Sequence, residues 1–343
     1  MTTGESVALQ RGNTMRSIHL LLGPGTLPSQ GVDRMDMLRY GAWISGLKAL
    51  DGDALLSAVP QIASFANVTV DSGNPCAIAT FDDLRALALR METLARDPGV
   101  DGIVFVQGTN SLEENAYFLN LTVRTGKPII VTGAQRPFTG LSSDGPLNLL
   151  NAVRVAACDA SHGKGVLVVT NSEINAARDV TKTDTYRLQT FRSRELGILG
   201  YADLDRIEFY RAPLRRHTID SVFDVSGVKE MPRVDVVYVL TGVRADLAEA
   251  AVKLGAKGLV IAGSGAGSTG EMRKPLAKLV EQGIAVVRSA RVGDGRVVRD
   301  DNWQEPGMIA ADNLNPQKAA VLLSLALTRT RDPDEIQKFF DTY

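Results

Sequence analysis

Short apolar runs alternate with amphipathic stretches along this 343-residue chain, and this alternation limits the possible folds more than any other feature. The pattern is clearest at residues 102–120, GIVFVQGTNSLEENAYFLN, where an apolar run stops at a glycine turn and a helix-like stretch follows. Such a succession is typical of a buried parallel strand and its crossover helix. Ligands of these sheets bind beyond the carboxyl ends of the strands, where Thr109 falls.

The same succession recurs through most of the chain. Strands are predicted at 18–23, 102–108, 127–134, 165–171, 234–242, 258–265 and 284–291, and helices at 81–97, 111–125, 146–161, 245–256 and 316–330. The alternation of strands and helices is interrupted at residues 211–233, which contain two prolines and no clear hydrophobic periodicity. We therefore expect an α/β fold with a larger N-terminal parallel-sheet, Rossmann-like domain and a smaller C-terminal α/β domain. The expected division is a flexible tail (1–16), the N-terminal domain (17–212), a linker (213–232) and the C-terminal domain (233–343).

Composition argues against several classes of partner. The formal net charge is -1 and no basic block occurs, so we expect neither nucleic acid nor membrane as a partner. No apolar run could span a bilayer and residues 1–16 lack an apolar signal region, which predicts a soluble cytoplasmic protein. The three histidines show no metal-ligand spacing, so we expect no metal and no cofactor. Cys76 and Cys158 could form one bridge or remain two packing thiols.

Three turns that follow predicted strands carry hydroxyl groups, namely residues 23–31, 68–74 and 107–111. A hydroxyl nucleophile is weak at its free pKa and needs a base or a nearby cation. Lys182, between two threonines in ARDVTKTDTY, could supply that cation. Each feature alone is usually structural, because Gly-Thr turns cap helices and single lysines are mostly surface charges.

Taken together, these motifs resemble those of the bacterial L-asparaginase and glutaminase family over nearly the whole chain. The similar stretches are AYFLNLTVRTGKPIIVTGAQRP (116–137), SSDGPLNLLNAV (142–153), RDVTKTDT (178–185), FDVS (223–226) and LNPQKA (314–319). The resemblance implies hydrolysis of a small-molecule amide through an acyl-enzyme. It also implies a homotetramer built as a dimer of dimers, with the sites at the dimer interface.

The resemblance assigns four catalytic residues. Thr26 takes the place of the nucleophile, although its turn reads GPGT where the family has TGGT, and a structural role for Thr26 remains the alternative. Tyr40 is the only tyrosine in the segment that carries the nucleophile's partner in the family. Thr109 and Lys182 match the family's second threonine and its lysine, which can orient a water or stabilise the acyl intermediate.

The predicted substrate contacts depart from the family around Gly108. The family has an aspartate at the position of Asn110, where it receives the substrate's α-ammonium, and a histidine at the position of Gln107. Asn110 keeps the hydrogen-bonding reach without the charge. The lost charge-assisted bond costs about 1.5–3 kcal/mol. We therefore expect an amide, lactam or cyclic ureide that lacks a free α-amine.

Further substrate contacts are expected on two other segments. Ser72 matches the serine that holds the substrate carboxylate in the family, whereas Gly73 replaces a polar neighbour. Either Asp300 or Asp301 falls where a family glutamate reaches across the dimer. Ala266 replaces an asparagine or serine found in many members.

Several interpretations stay open. Asp144 could cap a helix together with Pro146, or it could support the site. The GSGAG run at 263–267 lacks a following Lys-Ser/Thr, so it indicates a close backbone approach at a dimer contact and not a phosphate loop. A true L-asparaginase or glutaminase with relaxed anchoring and a catalytically silent binding protein are the alternative functions. Because all three matched threonine and lysine positions are retained, the sequence favours an enzyme.

Overall fold

The computed structural model describes residues 15–71, 77–299 and 307–343. Most of the predicted tail, together with Ser72, Gly73, Cys76, Asp300 and Asp301, lies outside these ranges. The roles that the sequence suggests for those residues stay predictions. Within the described ranges, no helix has the length and apolar character needed to cross a bilayer.

Fourteen strands form in the described part of the chain. In chain order they are β1 Arg16–Leu22, β2 Ala66–Val70, β3 Gly102–Val106, β4 Ile129–Thr132, β5 Val166–Thr170, β6 Glu173–Ala176, β7 Thr181–Lys182, β8 Phe191–Arg192, β9 Gly200–Ala202, β10 Ile207–Phe209, β11 Val234–Tyr238, β12 Gly258–Gly263, β13 Ala285–Ala290 and β14 Ile309–Ala310.

Nine α-helices accompany them within the same ranges. They are α1 Ala42–Ser45, α2 Gly52–Ala58, α3 Phe81–Arg96, α4 Leu112–Thr122, α5 Gly145–Ala156, α6 Asp246–Lys253, α7 Arg273–Glu281, α8 Pro316–Leu327 and α9 Pro333–Thr342. The predicted helices at 81–97, 111–125, 146–161, 245–256 and 316–330 are all present, each somewhat shorter than its apolar pattern.

The larger sheet has eight strands in the order β10-β9-β6-β5-β4-β3-β1-β2. The strands from β5 to β2 in that order are parallel, whereas β6, β9 and β10 join by antiparallel pairings. The smaller sheet, β11-β12-β13-β14, is parallel. The predicted two-part α/β architecture is therefore confirmed, with the correction that the larger sheet is only mostly parallel.

Burial explains why β3 and α4 form the centre of the molecule. Every residue of β3 is buried, as expected for a strand covered on both faces. In α4 every residue except Glu114 is buried, because the helix is covered by the larger sheet on one side and packs against α8 on the other. One apolar core contains Phe105 of β3 and Phe118 of α4 together with Leu322 of α8 and Phe340 of α9. The helices beside the larger and the smaller sheet therefore share this core. The borders that separate the two domains stay a prediction.

The order of the parallel strands places a ligand-binding position between β1 and β3. The chain order β2-β1-β3-β4-β5 reverses direction at this pair, and Leu22 lies opposite Val106 in the register. Open α/β sheets bind ligands outside the carboxyl ends of the strands at such a switch point. Thr26 follows β1 and Thr109 follows β3, so both threonines lie at the switch point beyond the carboxyl ends of these two strands.

Candidate active site

The turns that carry the two threonines contact each other through their backbones. The Gly108 N–H donates to the Pro24 carbonyl at 2.9 Å, and the Gly23 N–H donates to the Val106 carbonyl at 2.7 Å. A Cβ on Gly25 would lie 2.5 Å from the Gly108 nitrogen, closer than real Cβ contacts allow. A side chain at position 25 would therefore push the turns apart, and glycine fixes the position of Thr26 relative to Thr109.

Thr26 and Tyr40 are brought together by the segment after β1. The Thr26 Oγ1 and Tyr40 Oη atoms lie 3.0 Å apart, within hydrogen-bond distance, and both side chains are half-buried. An antiparallel bridge between Gly31 and Tyr40 folds this segment back over the turn. The Ser29 hydroxyl adds a 2.7 Å bond to the Gly25 carbonyl. The tyrosine that the sequence assigned to Thr26 thus lies beside it.

Lys182 and Thr109 form the second pair. The Lys182 Nζ donates to Thr109 Oγ1 at 2.8 Å, and Thr109 is buried. Burial lowers the pKa of Lys182 from its ordinary value, while the negative charges of Asp184 and Glu113 oppose that change. A lysine with a lowered pKa exchanges a proton more readily with a neighbouring hydroxyl or water.

The residues around Thr109 face in different directions. Asn110 is exposed and, like the half-buried Gly108, lines the cleft that contains the two threonines. Gln107 is buried instead, and its Oε1 accepts a 2.7 Å hydrogen bond from Asn115 Nδ2. Its Nε2 has no hydrogen-bond partner among the described residues. Gln107, expected as a substrate contact, therefore lies beneath the cleft wall and contacts α4.

Asp144 supports the turn after β4. It stands at the N-cap position of α5, but its side chain makes no capping bond. Its carboxylate accepts hydrogen bonds from the backbone N–H groups of Gln135 and Arg136, each at 2.9 Å, and a 3.2 Å bond from Asn148 Nδ2. Of the two interpretations, the structure favours support of the site, because Gln135 lines the cleft.

An open cleft of about 1540 Å³ surrounds the two threonine pairs. Among the lining residues that the sequence did not single out are Glu113, Gln135, Trp43 and Asp184. Two of these had a signal, because Gln135 and Asp184 fall inside stretches that resemble the family. Trp43 had no such signal, and its side chain is 90% exposed.

The glycine-rich run at 263–267 closes on itself. A Cβ on Gly263 would lie 2.4 Å from the carbonyl carbon of Gly267, and Ser264 forms an antiparallel bridge with Ser268. Ala266 at the tip is exposed. A close backbone approach is present within this turn, and its predicted place at a dimer contact stays a prediction. Cys158 carries a free, half-buried thiol.

The chain matches known proteins over most of its length. Residues 17–215 match the family model "Asparaginase, N-terminal", and residues 233–340 match "Glutaminase/Asparaginase C-terminal domain". The chain is 41% identical over 341 residues to "L-asparaginase 2" of Bacillus subtilis, covering 98% of this chain and 89% of the relative. It is 39% identical over 329 residues to "Glutaminase-asparaginase" of Acinetobacter glutaminasificans, covering 93% and 97%.

A solved structure shows the same fold. The probable cytoplasmic L-asparaginase of Campylobacter jejuni superimposes with a TM-score of 0.89 at 38% identity, covering 96% of this chain and 100% of the other. Fold and family together define a hydrolase that acts on carbon–nitrogen bonds other than peptide bonds. The chain belongs to the bacterial asparaginase and glutaminase family.

Proposed function

We propose that the protein hydrolyses the amide bond of a small molecule through a covalent ester on Thr26. One observation carries the proposal. Two hydrogen-bonded pairs, each with one threonine hydroxyl, lie in one cleft at the switch point of the sheet. They are Thr26–Tyr40 at 3.0 Å and Thr109–Lys182 at 2.8 Å. A nucleophile beside a proton-accepting group is the arrangement that covalent catalysis requires.

The first step forms the ester. Thr26 Oγ1 attacks the amide carbon, and its proton leaves through the hydrogen bond to Tyr40. The carbon–nitrogen bond breaks, and the leaving nitrogen takes up the proton that Thr26 gave to Tyr40. From an open-chain amide it departs as ammonia, whereas in a lactam or cyclic ureide it stays attached to the ring-opened acyl group. Water then cleaves the ester, which releases the carboxylic acid and restores the Thr26 hydroxyl.

Thr109 and Lys182 serve the same reaction from the other side of the cleft. The lowered pKa of Lys182 suits proton exchange with Thr109 or with the water that attacks the ester. Backbone N–H groups of the two turns can face the carbonyl oxygen while it carries negative charge. The contacts are short and partly buried, so little reorganisation is needed during the reaction.

Two substrate classes are proposed. The names of the relatives from Bacillus subtilis and Acinetobacter glutaminasificans favour L-asparagine and L-glutamine. The exposed amide of Asn110 favours the second class, an amide, lactam or cyclic ureide without a free α-amine. An uncharged amide forms a weaker bond to an ammonium group than a carboxylate does, and a bond to a charged group contributes about 1.5–3 kcal/mol.

Product analysis separates these classes. Purified protein is assayed at one pH with L-asparagine, L-glutamine and their α-deaminated analogues for ammonia release, and with small cyclic amides for the ring-opened product by mass spectrometry. Intact-protein mass spectrometry after rapid acid quench then tests for an acyl adduct on Thr26. If every compound binds but neither ammonia nor a ring-opened product forms, the protein is the silent binding homologue. If the protein turns over a substrate but no acyl adduct is detected, either in wild type or in variants that hydrolyse the ester slowly, the ester mechanism is refuted.

The assembly and the cellular location belong to the same proposal. We propose a homotetramer arranged as a dimer of dimers. Exposed apolar side chains on the edge strand β11 and after it, Val236, Tyr238 and Leu240, support self-association. Sedimentation velocity of the purified chain tests the number of subunits. The predicted cytoplasmic location is tested by fractionation of cells that produce the protein at its native level.

A further inference from the structure

A buried carboxylate connects Lys182 with the C-terminal domain. Glu113 lies in the first turn of α4 and is only 5% exposed. Its Oε1 accepts a 3.2 Å hydrogen bond from the Lys182 backbone N–H, and its Oε2 accepts a 2.8 Å bond from Asn315 Nδ2. Each oxygen is therefore used by a different segment, one carrying the lysine and the other beginning α8.

Glu113 lies at a helix N-terminus and near two lysines. The first turn of a helix stabilises negative charge, because the unpaired backbone N–H groups point outward there. Lys182 and Lys318 are the cations that act on this carboxylate, and Glu114 is the neighbouring acid. A buried charge remains stable only when it is paired and hydrogen-bonded. Glu113 meets that condition only while β7 and the start of α8 are both in place.

The start of α8 also holds the chain directly before Lys182. Asn315 caps α8 by accepting a 3.0 Å bond from the Lys318 N–H. The buried Lys318 Nζ donates to the carbonyls of Ala177 at 2.9 Å, Arg178 at 2.7 Å and Val180. These carbonyls belong to the segment between β6 and β7. Two consecutive contacts of one helix end thus fix the path of the chain into Lys182.

We propose that Glu113 is a positioning residue of the reaction. Held by Asn315 of the C-terminal domain, it fixes the main chain of Lys182 and thereby the 2.8 Å contact of Nζ with Thr109. The inference rests on the proposed function, because it assigns Glu113 to the lysine of that mechanism. Glu113 acts through Lys182 and forms no bond with the reacting atoms.

The carboxylate also acts on Lys182 through its charge. Burial lowers the pKa of Lys182, and the anions Glu113 and Asp184 raise it again. Replacing Glu113 by glutamine removes one of these two anions. The limb of the kcat–pH profile that belongs to Lys182 then moves to lower pH, whichever protonation state of the lysine is active.

The experiment measures kcat and KM against pH for the full-length wild type and Glu113→Gln. The substrate is L-asparagine or its α-deaminated analogue, whichever releases more ammonia. We expect kcat to fall about ten- to hundredfold, as for the loss of a charged hydrogen-bond partner, with KM within about twofold. The Lys182 limb should move to lower pH.

A second variant separates positioning from folding. Asn315→Ser keeps an oxygen that caps α8 but withdraws the amide donor from Glu113. We expect kcat to fall about three- to tenfold, with KM unchanged. Thr80→Ala is the matched control, because it removes the cap of α3 and Thr80 does not line the cleft. It should lower the melting temperature while leaving kcat and the pH profile as in wild type.

Three results decide the inference. Wild-type kcat and an unmoved pH profile in both Glu113→Gln and Asn315→Ser, beside an inactive Lys182→Met, overturn the positioning role alone. Wild-type kcat in Lys182→Met overturns the catalytic role proposed for Lys182 and the inference with it, whereas the ester on Thr26 is tested separately by Thr26→Ala. If Glu113→Gln does not fold, Asn315→Ser decides: a lower kcat at unchanged KM supports the role, and a wild-type kcat overturns it.

Discussion

Glu114 should make the stability of the protein depend on pH in a direction that one substitution removes. Burial, the largest cause, and the negative charge of Glu113 together raise the pKa of this carboxyl from 4.5 to about 7, against the opposing charge of Lys318. The folded protein therefore binds a proton that the unfolded chain has released between these two pH values. The stabilisation is complete below pH 4.5 and is lost as the pH rises through about 7.

The size of the effect follows from the two pKa values. At about 1.36 kcal/mol per pKa unit, the gap between 4.5 and about 7 corresponds to about 3 kcal/mol of unfolding free energy. Glu114 is not fully buried, and water near the carboxyl reduces the penalty, so we expect about 1–3 kcal/mol. Glu114→Gln keeps the shape of the side chain without the charge. It should be more stable than wild type by this amount at pH 8, with no gain at pH 4.5.

Urea unfolding at pH 4.5 and pH 8 measures this difference, at fixed salt and fixed protein concentration because self-association shifts apparent stability. Glu281→Gln is the matched control, since it changes an exposed glutamate at the end of α7. It should stay within about 0.5 kcal/mol of wild type at both pH values. An equal stability difference between Glu114→Gln and wild type at both pH values would refute the reasoning.

Four further predictions concern the cleft. Thr26→Ala should abolish turnover in the ammonia assay, and near-wild-type kcat would move the attack to Thr109 or water. Lys182→Met should lower kcat about a hundredfold or more; an effect on KM alone would make it a binding residue. Asn110→Asp should raise kcat/KM for L-asparagine relative to kcat/KM for an α-deaminated amide by a factor equivalent to about 1–2 kcal/mol. Equal changes in the two specificity constants would show that residue 110 does not select the substrate. Gly25→Ala should lower kcat at least about tenfold, because its Cβ would overlap the Gly108 nitrogen at 2.5 Å; wild-type kcat would show that the turns can separate freely.

The sequence predicted the parallel core well, because β3 and its neighbours are long apolar runs with glycine turns. It gave no range for β2, β7, β8 or β14, and it missed the antiparallel strands of the larger sheet, β6, β9 and β10. Their sequences, EINA, GYA and IEF, are three or four residues long and contain polar residues or glycine, so no period is visible. These strands form because the edge of the larger sheet offers backbone partners, which is a tertiary effect.

Side-chain direction explains the rest of the difference at the site. Sequence places Gln107 beside Gly108, but cannot show that its side chain contacts Asn115 inside the molecule. Glu113 was not predicted as a site residue, because an acidic residue in the first turn of a helix is already explained by the helix dipole. Its partner Asn315 lies 202 residues further along the chain, and only the packing of α4 on α8 brings them together.

The rewritten turn at Thr26 shows which part of such a motif the fold needs. The first two residues of the turn, Gly23 and Pro24, contribute backbone atoms only, an N–H that donates to Val106 and a carbonyl that accepts from Gly108. Proline lacks an N–H but keeps its carbonyl, and the side chain of Pro24 is exposed, so it fits where the family has glycine. Gly25 has no such freedom, because a Cβ there would meet the Gly108 backbone. The two departures from the family pattern therefore fall at positions that contribute backbone atoms to the contact of the two turns, and the glycine that this contact requires is retained.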